Sequence, residues 1–571
     1  MDKKKVVSIL EEIGTLLEIK GENPFKCRAY FNGARVIEQL EGDIRDWVET
    51  SKIKELKGIG KALADKITEL VTTGRLGYYE GLEESIPPGL IEMLKIPQLG
   101  PRKIKSLYEG LCISTVGELE YACQENRLIA LPGFGPKSQE NILKGIELLK
   151  RHRGRSLYSE AIGIAEGLFA ALGKYKGLRQ MAIAGSLRRR KETVKDIDLI
   201  ASADNPEGLM DFFTHLEQVE EIIAQGSTKS SIRLKSGIGA DLRVVKAEEF
   251  PFALHHFTGS QEHNTALRRR AKGLGLKMNE YGLFRDGQSI PCRDEKDIFT
   301  ALGLAPILPE LRENTGEIEA ASRGQLPQLL ELKDIKGIFH VHSHYSDGGV
   351  SLKELARAAQ AKGYQYIGIS DHSQSAHYAH GLKLEDIQRQ HEEVDYLNKS
   401  LGGIRLLKGI EVDILPDGTL DYADEVLALF DFVIASVHSR FKMTEEEMTA
   451  RIIKALSNPW VTILGHPTGR LLLARDPYPV DMYRVIDAAA RYRKLIEINA
   501  SPYRLDLDWQ LCKYAKERGV RLCIGPDAHS LEGLDDTIYG VYVARRGWLE
   551  PADVINTLPV SEIKDLWFAD G

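Results

Sequence analysis

Two aspartates that could bind a metal ion follow a segment rich in glycine, serine and arginine. Asp196 and Asp198 are separated by one apolar residue, and the segment before them begins Gly185-Ser-Leu-Arg-Arg-Arg190. In a strand, residues i and i+2 point to the same face, so the two carboxylates should project together. Paired carboxylates repel each other unless a cation lies between them, and Mg²⁺ takes carboxylate and phosphate oxygens. A strand, turn and strand that bind metal and phosphate are predicted; a hairpin with solvated charges is the alternative.

A third acidic position, Asp241, interrupts the apolar pattern of a later strand. A lone aspartate at such a position is usually an ordinary surface residue. If its strand lies beside Asp196 and Asp198, it completes a two-metal site. Two such ions, ~3.5–4 Å apart, can activate a hydroxyl and stabilise a leaving pyrophosphate. The three guanidiniums of residues 188–190 suit bidentate phosphate binding.

Composition limits the class of protein. The 571 residues are too many for one core, and 43% hydrophobic with 28% charged residues describes an ordinary soluble globular protein. No apolar run approaches the ~20 residues of a membrane span, and the amino terminus does not read as a secretory signal. Six scattered cysteines without a C-x-x-C argue against a disulfide framework or a cysteine zinc site. We therefore expect no membrane partner and a reducing, cytoplasmic setting.

The net charge of −7 is unevenly distributed. From Asp334 onward there are 27 Lys and Arg against 35 Asp and Glu, giving −8, and the rest of the chain, 49 against 48, gives +1. Ten of the fifteen histidines lie at or beyond His340. A near-neutral front part can still bind nucleic acid if its charges lie on one face. The acidic, histidine-rich rear part is typical of a metal-carrying enzyme.

Three glycine-containing hairpins precede helices in the first 150 residues. Each can expose backbone N–H groups beside a positive helix end, which makes an anion site. One copy alone favours a plain turn, but three copies followed by basic residues indicate helix-hairpin-helix modules that grip the DNA backbone without reading sequence. The middle copy has Gln98 where its first glycine would stand. The residues predicted to contact DNA are Gly58, Gly60, Lys61, Gly100, Gly133, Gly135 and Lys137.

The motifs between residues 185 and 268 occur in the order seen in one enzyme family. Gly-Ser-x-Arg-Arg, Asp-Ile-Asp, the third aspartate, and Phe257-Thr-Gly-Ser260 followed by Asn264 and Arg268 resemble a family X DNA polymerase of the DNA polymerase beta type. The resemblance covers about residues 1–316. It implies template-directed DNA synthesis from dNTPs on gapped or primer-template DNA, in short-gap filling during base-excision repair.

The resemblance also implies roles for single residues. Asp196, Asp198 and Asp241 would be catalytic and hold two Mg²⁺ or Mn²⁺ ions. The implied nucleotide contacts are Gly185, Ser186 and Arg189 at the triphosphate, Phe257 and Gly259 at the sugar, Asn264 at the base, and Arg268 on the template side. His256 departs from the family, which often has tyrosine before the phenylalanine to exclude a ribose 2′-hydroxyl. Weak selection of deoxyribose is therefore expected.

Two lysines near the amino terminus raise the question of a second activity. Lys66 stands six residues after Gly60 and matches the Schiff-base lysine of family members that have a deoxyribose-phosphate lyase. Lys26 matches a nearby phosphate-binding lysine, but Ala62 replaces another basic residue of that pocket. Because a lysine on a helix is more often simply solvated, lyase chemistry stays an open alternative.

Beyond residue 334, apolar runs alternate with amphipathic helices. This pattern predicts a parallel sheet, here a barrel of about seven strands. Nearly every run ends in a possible metal ligand, and ligands at the carboxyl ends of barrel strands converge on one mouth. One strand-end histidine is more often structural, but six with three carboxylates are not. The nine residues are His340, His342, Asp347, His372, Glu411, His438, His466, Asp527 and His529.

These nine residues resemble the ligand set of the PHP (polymerase and histidinol phosphatase) domain, across about residues 334–571. The resemblance implies a phosphoesterase with up to three metal ions, acting as a 3′–5′ exonuclease or cleaning 3′ ends. Mixed imidazole and carboxylate ligands suit Zn²⁺ or Mn²⁺ better than Mg²⁺. Further side chains that could contact substrate are His344, His377, His380 and Arg470.

The predicted architecture is multidomain α+β and α/β, ending in a distorted (β/α)7 TIM-like barrel. The expected domains are a lyase-like helical domain (1–85), helix-hairpin-helix fingers (86–150), a nucleotidyltransferase palm (151–248), a thumb (249–316), a linker (317–333) and the PHP domain (334–571). A helix over residues 310–321 would end the polymerase part. We expect a monomeric bacterial enzyme associated with the nucleoid.

Two other functions remain as alternatives. The first is a metallophosphatase for small substrates whose front part is only a DNA-binding tether. The three hairpins and the aspartate trio argue against it. The second is a template-independent nucleotidyltransferase, which the hairpin modules also disfavour.

Overall fold

The computed structural model describes residues 3–38, 40, 43–97, 99–150 and 154–563. Gln98 and the predicted domain boundary at residue 151 lie outside them. The chain divides into two compact units, Met1–Leu149 and Lys150–Gly571. Over the described ranges, each helix is too short or too polar to cross a lipid bilayer.

The first unit is entirely helical over its described residues. Apolar residues recur on one face of the first helix, where Val6, Leu10, Ile13 and Leu17 are buried against the neighbouring helices. Two glycines, Gly58 and Gly133, adopt positive φ in the turns before later helices. The helices are α1 (Lys3–Lys20), α2 (Pro24–Glu38), α3 (Ile44–Glu49), α4 (Lys61–Thr73), α5 (Gly77–Glu84), α6 (Pro88–Met93), α7 (Pro101–Leu111), α8 (Val116–Gln124) and α9 (Pro136–Lys150).

The second unit begins with a mixed sheet covered by two helices, α10 (Tyr158–Leu172) and α12 (Pro206–Thr214). A single helical turn, α11 (Gly185–Arg188), joins its first two long strands. The strands in this region are β1 (Ser156–Leu157), β2 (Leu178–Ile183), β3 (Thr193–Val194), β4 (Asp196–Ala203), β5 (Val219–Gln225), β6 (Lys229–Leu234) and β7 (Gly239–Val244). The five-stranded sheet has the order β2-β4-β7-β6-β5, and β4 runs parallel to β7. This order puts the predicted aspartates on adjacent strands.

A small helical layer with an antiparallel three-stranded sheet follows. Its elements are α13 (Phe250–Thr258), α14 (Gln261–Gly273), β8 (Leu276–Asn279), β9 (Gly282–Arg285), β10 (Gln288–Ile290), α15 (Glu295–Ala301) and α16 (Glu317–Arg323). The single helix predicted over residues 310–321 is wrong. A short 3-10 turn, Pro309–Leu311, is separated from α16 by Gly316, whose φ of +106° interrupts helical backbone.

The rear part is a barrel of parallel strands between residues 337 and 525. The strands are β11 (Gly337–Val341), β12 (Tyr366–Ile369), β13 (Arg405–Asp413), β14 (Phe432–Ser436), β15 (Ile463–Leu464), β16 (Leu495–Asn499) and β17 (Leu522–Gly525). They pair in sequence order, and Val341 pairs with Ala528 to join the first strand to the segment after the last. This confirms the predicted seven-stranded barrel.

Helices surround the barrel. They are α17 (Leu352–Ala361), α18 (Leu384–Ser400), α19 (Asp424–Leu427), α20 (Glu445–Leu456), α21 (Met482–Tyr492), α22 (Trp509–Glu517) and α23 (Thr537–Arg546). Aromatic rings of Phe339, Tyr366 and Phe432 fill the interior. Gly368 leaves room for them, because a Cβ there would lie 2.7 Å from the Phe432 ring. The ligand-bearing strand ends therefore surround a packed core rather than a pore.

Candidate metal centres

The first centre lies on the central strands of the mixed sheet. Asp196 and Asp198 project from β4, and Asp198 pairs in register with Asp241 on β7. Burial, then the nearby carboxylates of Asp241 and Asp196, raise the pKa of Asp198 to about 6. Gly185 has a φ of +65°, and a Cβ there would overlap the Asp198 carboxylate. A glycine is required for the turn to come this close to the acidic strand.

Two side chains of the neighbouring strand β6 already contact Asp241. Lys229 Nζ lies 2.6 Å from one carboxylate oxygen, and Ser231 Oγ donates to the other at 2.6 Å. The sequence analysis did not identify either residue. The available signal was their i, i+2 spacing, which puts both side chains on the same face of a strand. Among the described residues, Asp196, Asp198 and Asp241 are not one of the groups in which one ligand atom from each residue lies within 4.8 Å of the others.

The turn of residues 185–190, here called the arginine turn, contacts Glu313 and Thr258 through its arginine side chains. Arg189 is buried, its Nε lies 3.0 Å from Glu313 Oε1, and its Nη1 donates to the Thr258 carbonyl. Arg188 donates to Thr258 Oγ1 at 2.6 Å. Ser186, on the same turn, is partly buried. Arg189, the arginine predicted to bind the triphosphate, is therefore held in a defined orientation by contacts at two of its nitrogens.

The predicted sugar and base contacts lie where α13 meets α14. The Arg243 guanidinium lies 4.1 Å from the Phe257 ring centroid, and the His256 ring packs edge-on against that ring. Asn264 Nδ2 donates to the His256 carbonyl at 2.7 Å, and Gly259, between the helices, packs against Arg189. Arg268, one turn after Asn264, is exposed on α14. These residues line one side of the fold close to the arginine turn.

The hairpin glycines of the first unit are open to solvent. A Cβ at Gly60, Gly100, Gly133 or Gly135 would meet no heavy atom within 4 Å. Gly60 and Gly100 are the N-cap residues of α4 and α7. The exposed lysines Lys61 and Lys137 and the exposed Gly58 belong to the same hairpins. Such helix starts leave N–H groups available to an anion.

The two lysines considered for lyase chemistry lie near a tyrosine pair. Lys66 Nζ is 4.5 Å from the centroid of the Tyr78 ring, which stacks on Tyr30. Lys26 forms an exposed ion pair with Glu22 at 3.1 Å. The hydrogen bond that Lys26 donates to the Glu22 carboxylate is the main reason that the pKa of Lys26 is raised.

The second centre lies at the carboxyl end of the barrel and is organised around one carboxylate. Glu411 Oε1 lies 2.9 Å from His466 Nε2 and 3.3 Å from both His340 Nε2 and His438 Nε2. Its other oxygen, Oε2, lies 3.0 Å from His372 Nδ1. A single buried glutamate thus contacts four imidazoles.

All nine predicted barrel ligands fall into overlapping groups whose ligand atoms lie within 4.8 Å of one another. The groups are His342, Asp347, His372 and His529; His340, His466 and Asp527; His340, His342 and Glu411; and His372, Glu411 and His438. Several of their buried atoms lack a hydrogen-bond partner, including both ring nitrogens of His342 and Oδ2 of Asp347. Because buried polar atoms are normally satisfied, these residues fit metal ions well.

Charge compensation within the barrel centre shifts its titration. Despite burial, His340 and its neighbouring imidazoles hold the pKa of Glu411 well below its usual range. Glu411 and Asp413 raise the pKa of His438 to about 10 against the effect of burial. Burial, by contrast, lowers the pKa of His466 to about 3. The cluster therefore combines protonated and neutral imidazoles with ionised carboxylates.

A further ring of carboxylates and amides orients the ligands. His340 Nδ1 lies 2.5 Å from Glu497 Oε1, and His438 Nδ1 lies 2.6 Å from Asp413 Oδ1. Asn499 Nδ2 donates to Asp527 Oδ2 at 3.0 Å. Such partners set the tautomer and angle of metal-binding histidines. The sequence analysis missed all three residues, although each lies near the end of a strand that was recognised.

The additional barrel residues proposed to contact substrate lie in different environments. His344, His377 and His380 are exposed. Arg470 is largely buried instead, and its Nη atoms donate to Asp508 at 2.8 Å and to Glu192 at 3.1 Å. Its guanidinium joins the barrel to the mixed sheet, and a substrate contact by this arginine stays a prediction.

Four family models match the chain. They are a helix-hairpin-helix domain (residues 1–76), a SAM-like helix-hairpin-helix tandem (90–147), the DNA polymerase beta thumb (253–313) and the PHP domain (339–501).

Known proteins resemble either the whole chain or part of it. The DNA polymerase/3′-5′ exonuclease PolX of Bacillus subtilis (strain 168) is 40% identical over 568 residues, which is 99% of both chains. A probable phosphatase of Thermoanaerobacter pseudethanolicus is 34% identical over 214 residues, 34% of this chain and 80% of that protein. A probable phosphatase of Caldanaerobacter subterraneus subsp. tengcongensis is 33% identical over 211 residues, 34% of this chain and 76% of that protein. With two hairpin domains, a polymerase thumb and a PHP barrel in the same order, the chain belongs to the bacterial family X DNA polymerases that carry a PHP domain.

Proposed function

We propose that this chain is a template-directed DNA polymerase that fills short gaps during base-excision repair and carries a 3′–5′ exonuclease in its PHP barrel. The full-length similarity to a protein named DNA polymerase/3′-5′ exonuclease supports both activities. The nine-ligand cluster at the barrel mouth is the observation that carries the second catalytic centre.

For synthesis, we assign Asp196, Asp198 and Asp241 to the metal ions and Arg189, with Gly185 and Ser186, to the triphosphate. When bound, two Mg²⁺ or Mn²⁺ ions would activate the primer 3′-hydroxyl and stabilise the leaving pyrophosphate. The chain's own part is to hold the three carboxylates on adjacent strands and to keep the arginine turn beside them. The close approach of Gly185 to Asp198 supports this assignment.

Around the incoming dNTP, we assign the sugar to Phe257 and Gly259, the base to Asn264, and the template side to Arg268. The hydrogen bond from Asn264 to the His256 carbonyl ties the base contact to the residue preceding Phe257. Movement of His256 would therefore also displace the side chain of Asn264. This coupling supports a single nucleotide pocket at the junction of α13 and α14.

For nucleotide removal, we assign the nine barrel ligands to up to three Zn²⁺ or Mn²⁺ ions. When bound, these ions would polarise the phosphodiester and activate the attacking water. Glu411 holds four imidazoles around a common centre. Glu497 and Asp413 fix the orientation of His340 and His438. The unsatisfied ring nitrogens of His342 support direct ligation.

DNA is proposed to be held by the hairpin modules. Gly60, Gly100 and Gly135 leave open space at helix starts, and Lys61 and Lys137 add charge beside them. Lys66 and Lys26 remain candidates for a lyase pocket, supported only by their position near Tyr78. We also propose a monomer, because the nine candidate barrel ligands of a single chain already gather into groups of three or four. The bacterial relatives support action on the nucleoid of a bacterial cell.

A second candidate function is a metallophosphatase tethered to DNA. The similarity of probable phosphatases to a third of this chain favours it. The two candidates differ in substrate, because a tethered phosphatase would not need the aspartates of the mixed sheet.

Primer extension on a one-nucleotide-gapped duplex tests the proposal. With Mg²⁺ or Mn²⁺, the wild-type chain should add one nucleotide, and Asp198→Ala should add none. If Asp198→Ala still extends the primer, the assignment of the polymerase centre is wrong. If the wild type releases phosphate from p-nitrophenyl phosphate far faster than nucleotides from DNA, the phosphatase is the correct function.

A further inference from the structure

Three consecutive arginines of the polymerase turn are each held by a glutamate that also contacts a second arginine. The three Arg–Glu–Arg bridges are Arg188–Glu295–Arg312, Arg189–Glu313–Arg546 and Arg190–Glu310–Arg545. The first bridge is confined to the polymerase part. The second and third end on adjacent residues at the end of α23, in the barrel part.

The second bridge joins the predicted triphosphate arginine to the barrel. Glu313 Oε1 lies 3.0 Å from Arg189 Nε and 3.5 Å from Arg546 Nη2. The third bridge runs parallel to it, with Glu310 Oε1 3.3 Å from Arg190 Nε and 2.9 Å from Arg545 Nε. One helix of the exonuclease part therefore reaches the nucleotide turn of the polymerase part.

Arg546 is unusually placed for a charged residue. Its side chain is only 1% exposed, and its Nε and Nη1 have no hydrogen-bond partner. Its guanidinium lies 4.4 Å from the Trp509 ring centroid, and its Nη1 lies 3.9 Å from Glu192. Burying an incompletely hydrogen-bonded cation is costly, and an apolar side chain would often fill such a space with less penalty. The positive charge itself is therefore the useful property here.

We propose that Arg546 is a positioning residue for nucleotide binding, acting through Glu313 on Arg189. This inference rests on the proposed polymerase function. Because Arg546 also contacts Glu313, the negative charge of Glu313 is partly neutralised. Glu313 then holds the Arg189 side chain in place but cancels only part of its positive charge. Without Arg546, Glu313 has Arg189 as its remaining cation in the bridge. More of the negative charge of Glu313 then falls on Arg189, so that Arg189 attracts a triphosphate less strongly.

The test is steady-state gap filling by the full-length chain with Arg546→Met. The KM for dNTP should rise about tenfold, as expected for a coupled charge network, while the Kd for gapped DNA stays within about twofold. Arg546→Lys, which restores the charge, should recover most of the wild-type KM. A loss that is only structural would not follow the charge, and it would lower kcat and thermal stability without this split between KM and kcat.

Two further variants test whether Arg546 acts through Glu313. In a Glu313→Gln background, Arg546→Met should change the dNTP KM by less than about twofold, because the charge through which Arg546 acts is gone. Arg545→Met is the matched control: it alters the adjacent residue of the same helix but acts on Glu310, and its dNTP KM should stay near the wild-type value. If Arg546→Met is unstable, Arg546→Gln, which removes the same charge but keeps a polar side chain, gives the same comparison with and without Glu313→Gln.

The inference is overturned if Arg546→Met leaves the dNTP KM unchanged, or if its effect persists in full in the Glu313→Gln background. These outcomes differ from failure of the proposed function. In that case, the wild type would not extend a gapped primer, or Asp198→Ala would extend it normally.

Discussion

The two candidate metal centres differ in how the charge of their carboxylates is compensated. In the mixed sheet, three carboxylates lie together, and burial with their mutual repulsion raises the pKa of Asp198 to about 6. Lys229 at 2.6 Å from Asp241 partly offsets this charge. In the barrel, imidazoles alternate with carboxylates, so the pKa of Glu411 falls well below its usual range and that of His438 rises to about 10.

The centres also differ in access to solvent. The side chains of Asp196 and Asp241 are 44% and 24% exposed, whereas those of Glu411 and His342 are 1% and 0% exposed. An open, acidic site can take up a metal ion together with a substrate phosphate. A buried, mixed site holds its ligands together before any substrate arrives. The two candidate centres thus differ in ligand type and in burial, and we propose that these two differences give weak metal binding in the mixed sheet and tight metal binding in the barrel.

The largest expected effect comes from Glu411→Gln. Removing one charge that contacts four imidazoles should lower exonuclease activity by about a hundredfold or more, while gap filling stays within about twofold. Asp241→Asn should do the reverse. Rates of nucleotide loss and gain on one labelled primer measure both. Equal loss of the two activities in either variant would contradict separate centres.

The second largest expected difference between the two centres is the number of protons released when metal binds. The raised pKa of His438 means that its ring carries a proton at pH 7.5 without metal, so binding Zn²⁺ or Mn²⁺ must release it. Asp198, with a pKa of about 6, is already ionised at that pH, and Mg²⁺ should release far less than one proton. Calorimetry in buffers of different ionisation enthalpy measures both values.

The raised pKa of Asp198 also predicts how DNA synthesis depends on pH. Below about pH 6, Asp198 is increasingly protonated, and Mg²⁺ binding should weaken as the pH falls. Added Mg²⁺ should then restore extension. Proton release by Mg²⁺ at pH 7.5 as large as that by Zn²⁺ would contradict the proposed difference in charge.

A smaller effect is expected from Lys229→Met. Because Lys229 competes with metal for Asp241, its removal should tighten Mg²⁺ binding and lower the Mg²⁺ concentration for half-maximal extension by about three- to fivefold. Lys195→Met is the matched control, since Lys195 is 3.9 Å from Asp196 and far more exposed. A higher Mg²⁺ requirement in Lys229→Met would instead mean that the lysine supports catalysis.

The smallest expected effect concerns the sugar. His256→Tyr should raise the preference for dNTP over rNTP by a few-fold, because a tyrosine ring beside Phe257 would crowd a 2′-hydroxyl. The ratio of kcat/KM for the two nucleotides measures it. An unchanged ratio would count against a weak sugar gate.

Local patterns predicted much of the fold and the residues that gather at the barrel mouth. The strand Tyr366–Ile369 and the helix Leu352–Ala361 lie where apolar periodicity indicated them. The nine candidate barrel ligands could be recognised because they lie near the ends of short apolar runs, and parallel strands bring such ends together.

Partners that depend on distant segments were not predictable in this way. Lys229 reaches Asp241 only because β6 pairs with β7, and strand pairing is not encoded locally. Glu313 and Arg546 are 233 residues apart in sequence. The break at Gly316 was missed because the surrounding residues favour a helix, whereas a positive φ at one glycine ends it.

The most direct test of two independent centres measures nucleotide gain and loss in four chains: wild type, Asp198→Ala, His342→Ala and the double variant. With Mn²⁺ and a single dNTP on a labelled, gapped duplex, Asp198→Ala should abolish gain and keep loss at the wild-type rate. His342→Ala should abolish loss and keep gain, and the double variant should do neither. If Asp198→Ala abolishes loss, or His342→Ala abolishes gain, the two activities share one centre and the account is wrong.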